Sequence, residues 1–217
     1  MQNVNQTESK GKSSEVMVME YLNEKLKDKR MKGFPTLIAS GFTPSGHEFI
    51  AMESLGINLK MMQKQISKFS LRTVIQIGIQ LTQRLQTLHE IGYLHLDLKP
   101  DNICLGSTNL GAEESSILCL IDFGISKPYL NEYNLHIEPG TNIIFQGNIL
   151  YASENAFRQK VLSRRDDFIS LTYILSSFLN GKLEWMQDLR RNDPDFFRKV
   201  GKIKKNLTIK QICCDRA

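Results

Sequence analysis

The chain has 217 residues, of which 41% are hydrophobic and 24% are charged, and its formal net charge is +5. This composition is typical of one globular domain and excludes a disordered or collagen-like chain. No apolar run reaches the roughly 20 residues of a membrane span, and the polar start of the chain lacks a secretory signal. We therefore expect a cytoplasmic or nuclear protein with no membrane partner.

The cysteines point to reduced thiols. Cys104 and Cys119 stand alone in the sequence, whereas Cys213 and Cys214 are adjacent. Neither arrangement is the framework of a disulfide-rich domain or the ligand spacing of a metal site. Their pattern agrees with a protein of a reducing compartment.

Positive charge is concentrated between residues 189 and 210. This basic segment holds Arg190, Arg191, Arg198, Lys199, Lys202, Lys204, Lys205 and Lys210. Asp193 and Asp195 are its only acidic residues. We interpret it first as a solvated helix face, and an acidic substrate or partner surface is the alternative. No aromatic platform alternates with the basic residues, so DNA and RNA are not expected.

The first helix is predicted from Glu15. Residues 1–14 show no apolar periodicity, and we expect them to be disordered. From Glu15, apolar residues recur at helical spacing as far as Leu22, and a charged stretch then leads to the break at Gly33–Pro35. Two short strands are predicted next, over 36–40 and 47–53. The turn-rich segment between them, Thr-Pro-Ser-Gly, indicates a hairpin.

A long helix is predicted to begin after Ser70, whose side chain is a suitable N-cap. Gly92 suits the left-handed position that ends such a helix. The apolar positions that we expect on its buried face are Leu71, Val74, Ile75, Leu81, Leu85 and Leu88.

The second half of the chain alternates short apolar pieces with polar loops. Strand-sized pieces lie at 93–96, 103–105 and 118–121. Residues 124–150 have no steady period, and loops of that length are usually functional. A further helix is predicted over 167–179, where an Asn-Gly pair follows it.

Two motifs carry the chemistry. The segment 93–102 fits the catalytic-loop pattern of protein kinases, His-x-Asp-Leu-x-x-x-Asn, except that Leu96 occupies the arginine position. Twenty residues after Asn102 comes Asp122-Phe-Gly, preceded by an apolar piece typical of a strand edge. Either motif alone is weak, but the pair at this spacing indicates phosphoryl transfer.

Phosphoryl transfer explains why these residue types are needed. Asp97 is the candidate base for the attacking hydroxyl, and Lys99 can neutralise the transferred group. Asn102 and Asp122 are the candidate ligands of Mg²⁺, because an amide oxygen and a carboxylate can hold the ion against phosphates. His95 is more simply a structural residue of the loop than a proton shuttle.

The wider sequence resembles the casein kinase I family of serine/threonine protein kinases. The sequence segments that match the family are Gly33-Phe-Pro-Thr36, Met52-Glu-Ser-Leu-Gly56, Lys99-Pro-Asp-Asn102, Ile121-Asp-Phe-Gly-Ile-Ser-Lys127, Gly147-Asn-Ile-Leu-Tyr-Ala-Ser153, Ser163-Arg-Arg-Asp-Asp167 and Gly181-Lys-Leu-Glu-Trp185. The resemblance implies an α+β protein-kinase fold. Residues 15–56 would form a reduced N-lobe, with helix C and short antiparallel strands, together with the hinge. Residues 57–217 would form a mainly helical C-lobe that lacks its last helices.

The resemblance also implies the residues around ATP. Met52 would be the gatekeeper, and the backbone of Glu53 and Leu55 would bind adenine. Cys104 would lie on the floor of the pocket, although a small buried apolar residue is the commoner reading of an isolated cysteine. Ile121 would also contact the nucleotide.

Two carboxylates would support this site. Asp167 matches the aspartate that binds the backbone of the catalytic loop. Glu15 matches the glutamate of helix C, with Glu20 as the competing candidate. Lys10 and Lys12 lie too close to Glu15 to replace the phosphate-gripping strand lysine.

The sequence departs from the family at three points. No glycine-rich loop or strand lysine precedes Glu15, so we expect an N-terminally incomplete kinase or weak ATP binding. Leu96 and Leu150 stand where the family has arginines that bind a phosphate or sulfate ion. We therefore expect the activity to depend only weakly on a phosphorylated priming residue in the substrate. The chain also ends 32 residues after Trp185, which predicts an incomplete C-lobe.

These features predict an ATP- and Mg²⁺-dependent protein serine/threonine kinase that acts as a monomer on protein substrates, among them acidic ones. The alternative is a pseudokinase or interaction module that binds ATP poorly and uses the basic segment for docking. Because all four chemical groups at 97, 99, 102 and 122 are present, the enzyme is the preferred hypothesis.

Overall fold

The computed structural model describes residues 11–26, 32–107, 116–186, 193–208 and 211–212. The predicted disorder of residues 1–10, the ends of the basic segment and the Cys213–Cys214 pair lie outside these ranges. The described residues before the first helix make defined contacts, since the Ser13 backbone N–H donates to Glu48 Oε1 at 3.0 Å. The predicted disorder therefore does not extend through residue 14.

The elements follow the predicted order of helix, hairpin and mainly helical second half. The helices are α1 (Ser14–Leu26), α2 (Leu59–Ile66), α3 (Leu71–Glu90), α4 (Glu154–Phe157), α5 (Arg164–Asn180) and α6 (Phe196–Asn206), and short 3₁₀ turns occupy Pro100–Asn102 and Glu184–Met186. The strands are β1 (Leu37–Phe42), β2 (Glu48–Met52), β3 (Tyr93–Leu94), β4 (Ile103–Leu105), β5 (Leu118–Leu120) and β6 (Lys127–Pro128).

Among the residues that the structure describes, the strands form three antiparallel pairs, β1 with β2, β3 with β6 and β4 with β5. The β1–β2 hairpin turns where the sequence predicts it, because Gly46 adopts φ 83° and its N–H donates to the Thr43 carbonyl at 2.9 Å. The other two pairs are two or three residues long. They bracket the loops that carry the two chemical motifs.

Helix α3 has the predicted cap but a different buried face. Ser70 Oγ accepts the Thr73 N–H at 3.2 Å. Leu71 and Ile75 are 62% and 52% exposed, so their predicted burial is wrong. The buried stripe instead runs Val74, Ile77, Leu81, Leu85 and Leu88. Successive positions on a helix are about 100° apart, so Ile75 falls beside this stripe.

Helix α5 begins three residues earlier than the apolar pattern predicts. Its first turn is polar and is fixed by a capping box, in which the Ser163 N–H donates to Asp166 Oδ2 at 2.7 Å. Gly181 ends the helix in the left-handed conformation, φ 83°. Helices α3 and α5 pack against each other and share one hydrophobic core with α1.

The basic segment is partly a solvated helix face, as predicted, since Arg198, Lys199, Lys202 and Lys205 of α6 are exposed. Lys204 is the exception, because only 3% of its surface is exposed. In the part of the chain that the structure describes, no helix combines the length and apolar character that a membrane span requires.

Candidate active site

The catalytic-loop motif lies between β3 and β4 and gathers three side chains. Lys99 Nζ donates to Asp97 Oδ2 at 2.5 Å. The Asn102 Nδ2 group donates to the Asp97 carbonyl oxygen at 3.0 Å and to Asp97 Oδ2 at 3.3 Å. Asp97 is thus held from two directions, and the 3₁₀ turn at 100–102 brings Asn102 back toward it.

Asp122 joins this group from the loop that follows β5. Its Oδ2 lies 3.8 Å from Lys99 Nζ, and its side chain is 45% exposed. The backbone at Asp122 adopts φ 68°, whereas the next residue, Phe123, is fully buried. The left-handed conformation therefore coincides with a point where one side chain faces solvent and its neighbour enters the core. The structure brings Asp97, Lys99, Asn102 and Asp122 together.

Lys99 stays charged in this arrangement. Burial lowers the pKa of Lys99, but the hydrogen bond and charge of Asp97 and the charge of Asp122 outweigh it, so the pKa is raised overall. A fixed ammonium between two carboxylates is a suitable partner for a phosphoryl group that gains negative charge during transfer.

A buried carboxylate fixes the backbone of the catalytic loop. Asp167, at the start of α5, accepts the His95 N–H at Oδ2 and the Leu96 N–H at Oδ1, both at 2.9 Å. His89 Nε2 lies 2.8 Å from Asp167 Oδ2. Leu96 has φ 66°, an unfavourable conformation for a leucine. The two charge-assisted hydrogen bonds hold the loop in it.

His95 links the two motif loops and is fully buried. Its Nε2 lies 3.1 Å from the Ile121 carbonyl oxygen, and its Nδ1 accepts the Asp97 N–H at 3.2 Å. This pattern requires the neutral ring with its proton on Nε2. Burial lowers the pKa of His95, although nearby Asp167 opposes the shift. These contacts support the structural role that the sequence analysis prefers for His95.

Of the two candidate glutamates on α1, Glu15 lies at the site. Burial and the charge of Asp122 raise the pKa of Glu15, while a hydrogen bond from the Phe123 backbone N–H opposes this. Glu20 lies elsewhere and forms an ion pair with Lys12, in which Nζ is 2.9 Å from Oε1. Glu15 therefore lies beside Asp122, and the helix C role that the resemblance implies for it stays a prediction.

The predicted hinge runs alongside β4. The Gly56 N–H donates to the Leu105 carbonyl at 2.9 Å, and the Leu105 N–H donates to the Ile57 carbonyl at 3.0 Å. The Glu53 N–H donates to the Thr36 carbonyl at 2.9 Å, so the Glu53 carbonyl is the backbone group that would remain for the predicted contact with adenine. Met52 ends β2 and is half-buried, as is Leu55.

Cys104 lies in the middle of β4, and Ile121 directly follows β5. Cys104 is buried and faces Cys119 across the β4–β5 pair, and both are free thiols. Burial raises the pKa of Cys104 and raises that of Cys119 to about 11, so neither is a reactive thiolate. The Ile121 N–H donates to the Asn102 carbonyl at 3.0 Å, which joins the loop after β5 to the catalytic loop.

A buried lysine that the sequence patterns do not predict supports the loop before α4. Lys204 Nζ donates to the Ile149 carbonyl at 2.9 Å and to the Ala152 carbonyl at 2.6 Å. The rings of Phe157, Tyr173 and Trp185 lie 4.9–5.0 Å from Nζ. Burial lowers the pKa of Lys204 well below its usual value. Carbonyl oxygens and aromatic ring faces are groups that favour an ammonium.

Trp185 completes this support, since its Nε1–H donates to the Leu150 carbonyl at 2.9 Å. Trp185 and Lys204 together bind three carbonyls of the segment 149–152. The available signal was the helical offset of Lys204 from Val200, four residues earlier and fully buried, which places both on one face of α6.

The comparisons with known proteins decide the family. Residues 4–212 match the protein kinase domain family. The chain belongs to this family. The comparisons support the α+β kinase fold and the resemblance to casein kinase I that the motifs indicate.

Two curated relatives of this protein kinase are similar over much of the chain. A Dictyostelium discoideum protein named as a probable serine/threonine-protein kinase is 38% identical over 142 residues, which cover 64% of the chain and 28% of the relative. Casein kinase I homolog 2 of Schizosaccharomyces pombe is 28% identical over 169 residues, which cover 77% of the chain and 38% of the relative. The chain therefore spans less than two fifths of the length of either relative.

The kinase family implies Mg²⁺, and the donor set fits it. Asn102 uses its amide nitrogen on Asp97, so its oxygen is the atom left for a cation, and Asp122 supplies a half-exposed carboxylate. Mg²⁺ prefers oxygen ligands and is commonly held by one or two carboxylates with substrate phosphates. Within the described ranges no group of three or more His, Cys, Asp or Glu forms a metal cluster. Asn102 and Asp122 would thus share the ion with the nucleotide.

Proposed function

We propose that the chain is the catalytic part of an ATP- and Mg²⁺-dependent serine/threonine kinase of casein kinase I type. The observation that carries this proposal is the convergence of Asp97, Lys99, Asn102 and Asp122 on one face between the two motif loops. The reaction moves the γ-phosphoryl group of ATP to a Ser or Thr hydroxyl of a protein substrate.

Asp97 would accept the proton of the attacking hydroxyl. The hydroxyl oxygen forms a bond to the γ-phosphorus, the bond to the β,γ-bridging oxygen breaks, and ADP leaves with that electron pair. Asn102 keeps the Asp97 carboxylate in one orientation, since it binds both its carbonyl and its Oδ2. Positioning of this kind supplies much of the rate in phosphoryl transfer.

Lys99 would stabilise the charge on the transferred group. Its ammonium already contacts both carboxylates, so it needs no large movement to reach a phosphoryl oxygen between them. Bound Mg²⁺ would neutralise phosphate charge at Asn102 and Asp122. Asp167 contributes indirectly, because it fixes the backbone on the N-terminal side of Asp97.

The decisive experiment compares two acidic residues of the same loop. We expect Asp97→Asn to reduce transfer of labelled phosphate from Mg-ATP to an acidic protein substrate by about 1,000-fold. The control is Asp101→Asn, because Asp101 is exposed and lies only four residues away. We expect it to change transfer by less than about twofold.

Any nucleotide-dependent thermal stabilisation that the unmodified protein shows should persist in Asp97→Asn, because this carboxylate acts on the hydroxyl and not on the nucleotide. If Asp97→Asn transfers phosphate as fast as the unmodified protein, Asp97 is not the base. If the unmodified full-length protein transfers none, the interaction-module alternative replaces the proposal.

A further inference from the structure

A small apolar pocket lies beside the catalytic loop and is not used by the proposed chemistry. Its volume is about 190 Å³. The lining is formed by Leu94, Leu96, Lys127, Pro128, Tyr129, Ile137, Ile143, Ile144, Phe145, Gln146, Ala156, Lys160, Val161 and Leu162. Most of these side chains are apolar, and they come from both the catalytic loop and the long segment before α5.

The walls of this apolar pocket are held by backbone hydrogen bonds. On one side Leu94 pairs with Lys127 in the β3–β6 ladder, and Asp167 fixes the Leu96 N–H. On the other side the Ile143 N–H donates to the Gln159 carbonyl at 3.0 Å. The pocket is therefore formed before anything binds to it.

The two walls also meet at a close contact. A Cβ placed on Gly147 would lie 2.4 Å from the Leu96 carbonyl oxygen, and Gly147 has φ 94°. The segment that carries Ile143 and Ile144 is thus packed directly against the catalytic loop. Ile144 is 82% exposed at the rim, where an incoming side chain would bury it.

Size and charge identify the occupant. Pockets for drug-sized ligands measure roughly 300–1,000 Å³, so this pocket suits a single side chain better than a small molecule. Its lining includes two lysines, Lys127 and Lys160, and no acidic residue. An apolar side chain within an acidic stretch of polypeptide complements both features.

The place of the pocket relates it to the substrate. Leu96 lines the pocket, and the next residue is Asp97, the candidate base. Consecutive Cα atoms are about 3.8 Å apart, so a peptide whose hydroxyl lies at Asp97 would need to extend by only a few residues to reach the pocket. A leucine here also offers no charge to a phosphorylated residue.

We propose that this apolar pocket binds one large apolar side chain, of the leucine or phenylalanine class, in an acidic segment of the protein substrate. The inference rests on the proposed function, since it assigns the partner as the substrate of the same site. Lys127 and Lys160 attract the acidic flanks, and the apolar lining selects the side chain.

The test measures binding, so it does not require transfer. The probes are fluorescein-labelled acidic peptides with one serine and one leucine, the leucine placed at each of the four positions on either side of the serine. Matched peptides carry alanine instead. By fluorescence anisotropy we expect one leucine position to bind about tenfold more tightly than its alanine twin.

Two sets of variants assign this preference to the pocket. The double variant Ile143→Ser, Ile144→Ser should reduce the ratio of the affinity for the leucine peptide to that for the alanine peptide to below about twofold. The control Ile79→Ser, which changes an exposed apolar residue of α3, should leave this affinity ratio unchanged. The double variant Lys127→Glu, Lys160→Glu should weaken the binding of both peptides without changing the ratio of their affinities. The control Lys64→Glu, on α2, should leave both affinities unchanged.

The proposal is overturned if no leucine position gives a preference, or if the paired serine variant keeps it. Preference for phosphoserine over leucine at that position also overturns it. The proposal is also overturned if the unmodified protein self-associates in analytical sedimentation and the paired serine variant does not. The occupant of the pocket would then be a second copy of this protein. If the peptides bind as expected but no phosphate is transferred, the proposed kinase function is wrong, while the proposal that the pocket binds an apolar side chain is supported.

Discussion

The Lys99 ammonium is bonded to Asp97 at 2.5 Å and lies 3.8 Å from Asp122. One cation thereby connects the catalytic loop with the loop after β5. The arrangement balances charge between two carboxylates that would otherwise repel each other.

Removal of the Lys99 ammonium should lower the rate of transfer more than the stability of the fold. We expect Lys99→Met to reduce kcat by about 100-fold, because the variant leaves the phosphoryl charge without its cation. Lys64→Met, an exposed lysine of α2, is the control and should keep the normal rate. Steady-state kinetics with saturating peptide measures both. An unchanged kcat in Lys99→Met would remove Lys99 from the reaction.

The stability of the protein should depend on pH through His95. Burial is the main reason that the pKa of His95 is lowered from 6.5 in the fold. Below pH 6.5 the unfolded chain binds a proton that the folded protein does not, so stability is complete above this pH and decreases as the pH falls.

Urea denaturation between pH 7 and pH 5 measures this dependence. We expect the free energy of unfolding to fall by up to about 1.4 kcal/mol per pH unit from this one group. His95→Gln should remove that part of the slope, whereas His47→Gln, in the exposed turn of the hairpin, should retain it. Equal slopes in all three proteins would contradict the assignment.

Lys204 should contribute to stability although it lies in a basic surface segment. Lys204→Met leaves the carbonyls of Ile149 and Ala152 without their donor, and we expect a loss of about 3 kcal/mol in the free energy of unfolding. The neighbouring Lys205→Met is a matched control, because Lys205 is exposed.

Lys204→Arg should recover part of the loss, since it restores a donor but not the shape of the ammonium. Because the segment 149–152 connects residues 143–146, which line the proposed substrate pocket, to α4, the Met variant should also raise KM for the peptide more than it lowers kcat. Equal free energies of unfolding for Lys204→Met and Lys205→Met would show that the buried contacts of Lys204 make no net contribution to stability.

Local patterns predicted the elements well where one physical signal dominated. The cap at Ser70 and the left-handed Gly181 placed the ends of α3 and α5, because caps depend only on residues a few positions away. The exposed positions Leu71 and Ile75 were misjudged, since apolar spacing does not show which edge of a helix the rest of the fold covers.

The site was predicted through its motifs rather than through geometry. Spacing alone cannot bring Asp97 beside Asp122, and the kinase resemblance supplied that link. The motifs do not predict the role of Lys204, because its partners are backbone carbonyls more than 50 residues away, and its helical offset from Val200 indicates only a shared face of α6. Its surroundings in the sequence are those of a solvated lysine.

The substrate preference of the site should differ from that of kinases that need a priming phosphate. Leu96 lines an apolar pocket, and Leu150 packs against the hydrophobic core while its carbonyl accepts Trp185 Nε1–H. Neither side chain can pair with an anion. Peptides that differ only in one phosphorylated serine before the target serine should therefore give kcat/KM values within about threefold, since a charge-assisted contact would contribute about 1.5–3 kcal/mol. Leu150→Arg should restore a preference for the primed peptide. A preference above about tenfold in the unmodified protein would mean that other basic residues form the anion site.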